Sequence, residues 1–138
     1  MIQQTLMIVK PDAVGAGSTG EIIARVQRAG FKLCAVRMTR LAPRQAEAFY
    51  AVHKGRPFYE GLVEFMCSGP CVPMVLEKEN AIDDLRAFIG DTDSLKAAPG
   101  TIRKDFGTDK GKNAVHASDS PASAQTEIPF FFDSAGMV

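Results

Sequence analysis

The chain has 138 residues, 46% of them hydrophobic, enough for one compact domain with a true core and too few for two, so a single domain over 1–138 is expected. Sixteen basic side chains balance sixteen acidic ones, which excludes the strongly basic footprint of a dedicated nucleic-acid binder and confines any anion site to a local cluster. The cysteines Cys34, Cys67 and Cys71 form neither a C-x-x-C pair nor a zinc pattern with a histidine, and read as small buried hydrophobes in a reducing compartment.

The start, MIQQTLMIVKPD, lacks the basic residues that open a signal peptide. The uncharged FMCSGPCVPMVL at 65–76 is too short, and too broken by Gly69, Pro70 and Pro73, to cross a bilayer. The expected setting is therefore the cytoplasm, without a membrane segment.

In chain order, TLMIV at 5–9 reads as a buried strand that Pro11 stops, leaving Lys10 at the strand end. Ser18-Thr19-Gly20-Glu21 matches a capping box, and Ile22, Val26 and Ala29 follow at helical spacing up to Gly30. Cys34, Val36 and Met38 alternate with Ala35, Arg37 and Thr39, which predicts a half-buried strand from Lys32 to Leu41. Pro43 opens a helix carrying Ala46, Phe49, Tyr50 and His53, and a second helix begins after Arg56-Pro57 with Phe58, Leu62, Phe65 and Met66 on one side.

CVPMVL at 71–76 reads as a strand, and Pro73, which cannot donate to a ladder, argues for an edge or a bulge. Asn80 is placed to cap a helix striped by Ile82, Leu85 and Ile89. Residues 91–112 lose all periodicity, and a loop that long inside a compact domain is more often functional than idle. A short strand at 114–116 precedes a helix opened by Ser120-Pro121 and expected to end near Pro129. Strands alternating with helices predict an α/β or α+β sandwich whose sheet order the pattern leaves open.

A side chain that attacks phosphorus needs a lone pair near neutral pH, and an imidazole has one. His116 qualifies, and Glu127, about two turns into the next helix, is placed to orient one ring nitrogen and leave the other free, with Ser118 in support. The plainer alternative is a half-buried strand histidine followed by an ordinary helix cap, Ser118-Asp119-Ser120.

Lys10, Arg86 and Arg103 stand at positions suited to clamping phosphate, although single basic residues are more often solvated surface charge. Neither a Walker A sequence nor G-x-G-x-x-G occurs. Phe58 and Leu62, a turn apart, offer a face to a nucleobase or else belong to the core, while Tyr50 and His53 read as packing residues unless the site claims Tyr50. Phe130-Phe131-Phe132 reads as core plus an oligomer contact, since three adjacent rings cannot all face one way.

The segments TLMIVKPDAV, RPFYEGLVEFMCSGP, PGTIRKDFG and NAVHASDS, in that order, resemble the nucleoside diphosphate kinase family over nearly the whole chain. The resemblance implies a ferredoxin-like sandwich with a four-stranded antiparallel sheet covered by helices. It also implies ping-pong transfer of the γ-phosphate from a nucleoside triphosphate to a diphosphate, with low base selectivity. By the same resemblance His116 carries the phosphate as phosphohistidine, Glu127 orients it and Ser118 stands beside them. Lys10, Tyr50, Arg86, Thr92, Arg103 and Asn113 match positions that hold phosphates and ribose, and Phe58 and Leu62 match the base platform.

The implied cofactor is Mg2+, bridging nucleotide phosphates rather than sitting in an all-protein cage. The implied partners are ATP, ADP, GTP and other nucleoside di- and triphosphates, without stable nucleic acid or membrane, in a homo-oligomer, tetramer or hexamer. The chain departs from the family pattern at Lys110, near the base, where many members carry an apolar residue. It departs again at Pro129 just beyond Glu127, and in the brief tail DSAGMV. The competing reading is a catalytically silent nucleotide-binding regulatory protein of the same fold, which loss of the histidine, its carboxylate or the clamps would mark. A nucleic-acid module built on Phe58 and the basic residues is disfavoured by the zero net charge.

Overall fold

A computed structural model describes residues 1–133. Its sheet has four strands, β1 (Ile2–Val9), β2 (Lys32–Val36), β3 (Val72–Glu79) and β4 (Val115–Ala117), in the order β2-β3-β1-β4 with all neighbours antiparallel. Around it lie α1 (Pro11–Gly15), α2 (Thr19–Arg28), α3 (Pro43–Phe49), α4 (Tyr59–Met66), α5 (Ala81–Ile89), α6 (Ile102–Phe106) and α7 (Pro121–Phe131). Among the described residues, no helix is long and apolar enough to cross a membrane.

β1 is central and covered on both faces, which is why its apolar run is continuous rather than alternating. Met7 and Val9 face a layer with Ile22 and Val26 of α2, Leu85 and Ile89 of α5 and Ile102 of α6. Leu6 and Ile8 face the other layer, with Ala46 of α3, Met66 of α4 and Phe131 of α7. The expected antiparallel α+β architecture is thus present, with the sheet order now fixed.

Several local expectations need correction. β2 stops at Val36 rather than Leu41, with only an isolated bridge from Thr39 to Cys71 beyond it. β3 is not an edge strand, and the irregularity in its pairing with β2 falls between Leu33 and Ala35 rather than at Pro73. Pro73 is tolerated because its carbonyl accepts from Arg37 N at 3.2 Å, past the last residue of β2, so the absent N–H falls where that ladder has ended. Ser18 and Asn80 occupy N-cap positions, but neither side chain makes the capping bond. The 91–112 segment contains α6, capped by Thr101, whose hydroxyl accepts from Lys104 N.

α7 ends at Phe131, near Pro129 as expected, with the proline inside its last turn rather than at its stop. Beyond the proline, Phe132 N donates to Ile128 O at 3.0 Å and the Arg37 guanidinium donates to Phe131 O at 3.0 Å. Burial of the Phe131 and Phe132 rings against the sheet offsets the one hydrogen bond that Pro129 cannot make. Phe130 is the exposed member of the trio. Residues 134–138 of the short tail lie outside the described residues.

Candidate functional site

β4 pairs with β1 so that His116 stands opposite Ile8, which turns its ring toward α3, α4 and α7. Strand alternation puts Ser118 on the same side, its N–H donating to Leu6 O at 3.1 Å. α7 then returns over this edge. Its start is fixed by Pro121 at the first position and by Ser120, whose hydroxyl accepts from Ser123 N at 3.1 Å.

That helix phase delivers Glu127 to His116, with Nε2 to Oε1 at 2.8 Å, and the same oxygen accepts from Ser118 Oγ at 2.8 Å. An ionised carboxylate can only accept, so Nε2 carries the hydrogen and the neutral ring keeps its lone pair on Nδ1. Nδ1 has no hydrogen-bond partner among the described residues. Imidazole and carboxylate are each 19% exposed, reachable but largely screened from water.

Aromatic rings fix the imidazole from the side. Phe49 meets it edge-on with centroids 5.3 Å apart, and Tyr50 does so at 5.9 Å. Phe49 is itself wedged against Phe130 and Phe131. The Tyr50 hydroxyl is buried without a partner among the described residues, and burial, with Glu127 adding to it, pushes the phenol well above its ordinary range. His53 links this group outward, its ring 6.4 Å from Tyr50 and 5.1 Å from Phe58. Phe58, at the start of α4, is 52% exposed, whereas Leu62 is half-buried and packs against the core.

The cations gather at the C-terminal end of β1 and around β4. Lys10 is buried, and its ammonium donates to Asn113 Oδ1 at 2.8 Å, while Asn113 Nδ2 donates to Thr92 O at 2.9 Å. Burial lowers the Lys10 pKa to about 8, with the Arg103 charge adding to the fall and Asp12 opposing it. Arg103 is also buried, donating to Gly90 O at 3.1 Å and Val115 O at 3.0 Å, and its Nε has no partner among the described residues. Burial and then the neighbouring Arg86 charge bring its pKa down to about 10.

Arg86 is exposed and reaches Ala117 O at 3.4 Å. Beside it opens a surface depression of about 560 Å³ lined by Arg86, Ala87, Gly90, Asp91 and Thr92. Lys110 is exposed in a tight turn where Asp109 accepts from Gly111 N and Lys112 N.

Contacts around β4 thus join His116, Ser118, Glu127 and Tyr50, with Phe58 reached through His53. Along the same strand they join Lys10, Asn113, Thr92, Arg103 and Arg86, while Leu62 packs against the core. Together the joined residues make one region. Four further residues belong to it. Phe49 and His53 were visible only as members of a helical stripe. Asp12 was visible only as the residue after Lys10-Pro11, and Ala114, left-handed at φ 73, gave no sequence signal at all.

A sequence model of the nucleoside diphosphate kinase family matches residues 3–137. The chain is 58% identical over 131 residues to the nucleoside diphosphate kinase of Psychromonas ingrahamii, covering 95% of this chain and 91% of that protein. It is similar in structure to an Aquifex aeolicus nucleoside diphosphate kinase, with a TM-score of 0.98, 53% identity and all of both chains covered. It is also similar to a halophilic nucleoside diphosphate kinase from Halobacterium salinarum in complex with CDP, with a TM-score of 0.96 and 39% identity, covering 100% of this chain and 92% of that one. With a matching family model over nearly its full length and relatives above half identity, the chain belongs to the nucleoside diphosphate kinase family of phosphotransferases.

Proposed function

We propose that this kinase moves the γ-phosphate of a nucleoside triphosphate to a nucleoside diphosphate through a phosphohistidine on Nδ1 of His116. The observation that carries this reading is the shared Glu127 oxygen, which fixes Nε2 as the donor and leaves the Nδ1 lone pair free. In the first half-reaction that lone pair attacks the γ-phosphorus, an N–P bond forms, and the bond to the β,γ-bridging oxygen breaks. The diphosphate departs with that electron pair. The ring becomes positive as the bond forms, and Glu127 stabilises it without taking its proton. The second half-reaction reverses these steps with another diphosphate.

Lys10, Arg86 and Arg103 supply the positive charge for the phosphates, and Asn113 and Thr92 lie where ribose and phosphate oxygens meet them. The Tyr50 hydroxyl, buried and unpartnered beside His116, is a donor available to a phosphate oxygen. Phe58 offers an exposed ring that any base can stack on, which favours low base selectivity. The CDP bound by the Halobacterium relative supports a nucleotide as the ligand here.

Mg2+ fits the site as an ion carried by the nucleotide phosphates. Glu127 is engaged by two donors and Asp119 by Ser123 Oγ at 2.6 Å, and no group of three or more metal-ligating side chains is present among the described residues. When bound, the ion would neutralise phosphate charge as the phosphoryl group moves. The unpaired cysteines favour the cytoplasm. The open edge of β2, with Val36 and Met38 exposed, favours a homo-oligomer, a tetramer or hexamer.

Incubation with γ-labelled ATP is expected to leave acid-labile label on the wild type and none on His116→Ala, with exchange between ATP and several diphosphates falling by roughly four orders of magnitude. Label retained in that variant would remove His116 from the mechanism.

A further inference from the structure

Ala114, fully buried, holds φ 73, a left-handed conformation that side chains bearing a Cβ rarely adopt. Its two peptide groups are gripped from a single turn of chain. Its carbonyl accepts from Lys10 N at 2.8 Å, and its N–H donates to Asp12 Oδ2 at 3.1 Å. Pro11, between these two residues, fixes the backbone of that turn at the first position of α1. On one side of Ala114 the Asn113 amide bridges the Lys10 ammonium and Thr92 O; on the other, Val115 O holds Arg103, with His116 next along the strand.

We propose that Asp12 is a positioning residue for the nucleotide clamp: by holding residue 114 left-handed, its carboxylate sets the Asn113 amide and the Lys10 ammonium in the places where phosphate and ribose oxygens must meet them. The proposal rests on the reading that Lys10 and Asn113 hold the nucleotide. Without the Asp12 acceptor the buried Ala114 N–H has no partner, and the residue relaxes toward negative φ, carrying Asn113 with it. The phosphoryl-transfer step itself, governed by His116 and Glu127 beyond Val115, is then much less affected than binding.

The test is a KM-against-kcat comparison with a conformational rescue. In Asp12→Ala the KM for nucleotide is expected to rise roughly tenfold while phosphorylation at saturating ATP changes less than about threefold, the loss being one buried hydrogen bond to a charged group. Adding Ala114→Gly, which takes positive φ without support, is expected to bring the KM back to within about threefold of wild type. Asp12→Asn keeps an acceptor for the Ala114 N–H and is expected to retain the wild-type KM.

A wild-type KM in Asp12→Ala, a double variant no better than the single one, or a tenfold rise in Asp12→Asn would each overturn the proposal. Lys10→Met serves as the separate control. If it leaves the nucleotide KM unchanged, the clamp reading fails, whatever Asp12 does.

Discussion

The two faces of the sheet make unlike contributions to the site. The face under α3, α4 and α7 is aromatic where it meets β4, and it locks one imidazole between Glu127, Phe49 and Tyr50. The opposite face is mostly aliphatic, with Phe31, Phe88 and Phe106 in its layer, and its helices α5 and α6 send Arg86 and Arg103 to the carbonyls of β4 itself. Geometry is controlled on one side and charge on the other, and the three-residue edge strand β4 is where they meet. An edge strand suits this role, because one of its flanks is left open to a ligand.

If that division holds, damage to each face should appear in different kinetic parameters. Apart from loss of His116 itself, the largest effect is expected from Glu127→Ala on the aromatic face. Losing a hydrogen bond to a charging ring, worth about 1.5–3 kcal/mol, should slow single-turnover phosphorylation by roughly tenfold to a hundredfold with nucleotide affinity nearly intact. An unchanged rate would show that the rings alone orient His116.

The charge side should respond to pH. As the proposed phosphate clamp Lys10 has to be protonated, and burial lowers its pKa to about 8. kcat/KM for nucleotide is therefore expected to be full below that pH and to fall toward tenfold per unit above it, read from a profile over roughly pH 6.5–9.5. Lys10→Arg, with a guanidinium that stays charged, should lose this alkaline limb even if its activity is lower. Persistence of the limb would move the titration to another group.

The smallest effect is expected at the rim. Phe58→Ala should raise KM several-fold to roughly tenfold for every base, the loss of one stacking contact of about 1–1.5 kcal/mol, with little change in kcat. A loss confined to one base would mean that the platform discriminates.

The sequence made the reacting groups legible because they are local: His116, Ser118 and Glu127 lie within one strand-helix unit whose cap and first proline set the phase. Lys10, Arg86 and Arg103 could be named but not joined, since what joins them is β4 pairing with β1, a contact across more than a hundred residues. Pro73 misled, and Pro129 lies inside the last turn of the helix it was expected to close, for one reason. Each removes a single N–H, and the outcome depends on whether that donor would have had a partner and on what the flanking side chains bury, neither of which is a property of the proline. Ala114 was invisible because alanine carries no mark of left-handed backbone; only the Asp12 carboxylate across the turn explains it.

The buried Lys10 also ties folding to substrate. Its pKa falls from 10.5 in a solvated chain to about 8 in the folded one, so below about pH 8 it is charged in both states and the folded state bears the whole cost of dehydrating it. That cost is on the order of 3 kcal/mol, and it fades as pH rises from about 8 toward 10.5. The buried ammonium is thus a weak point in the fold at neutral pH. Under the proposed clamp, a polyphosphate whose oxygens meet the ammonium would replace the missing hydration, which would make the nucleotide a folding ligand of the protein as well as its substrate.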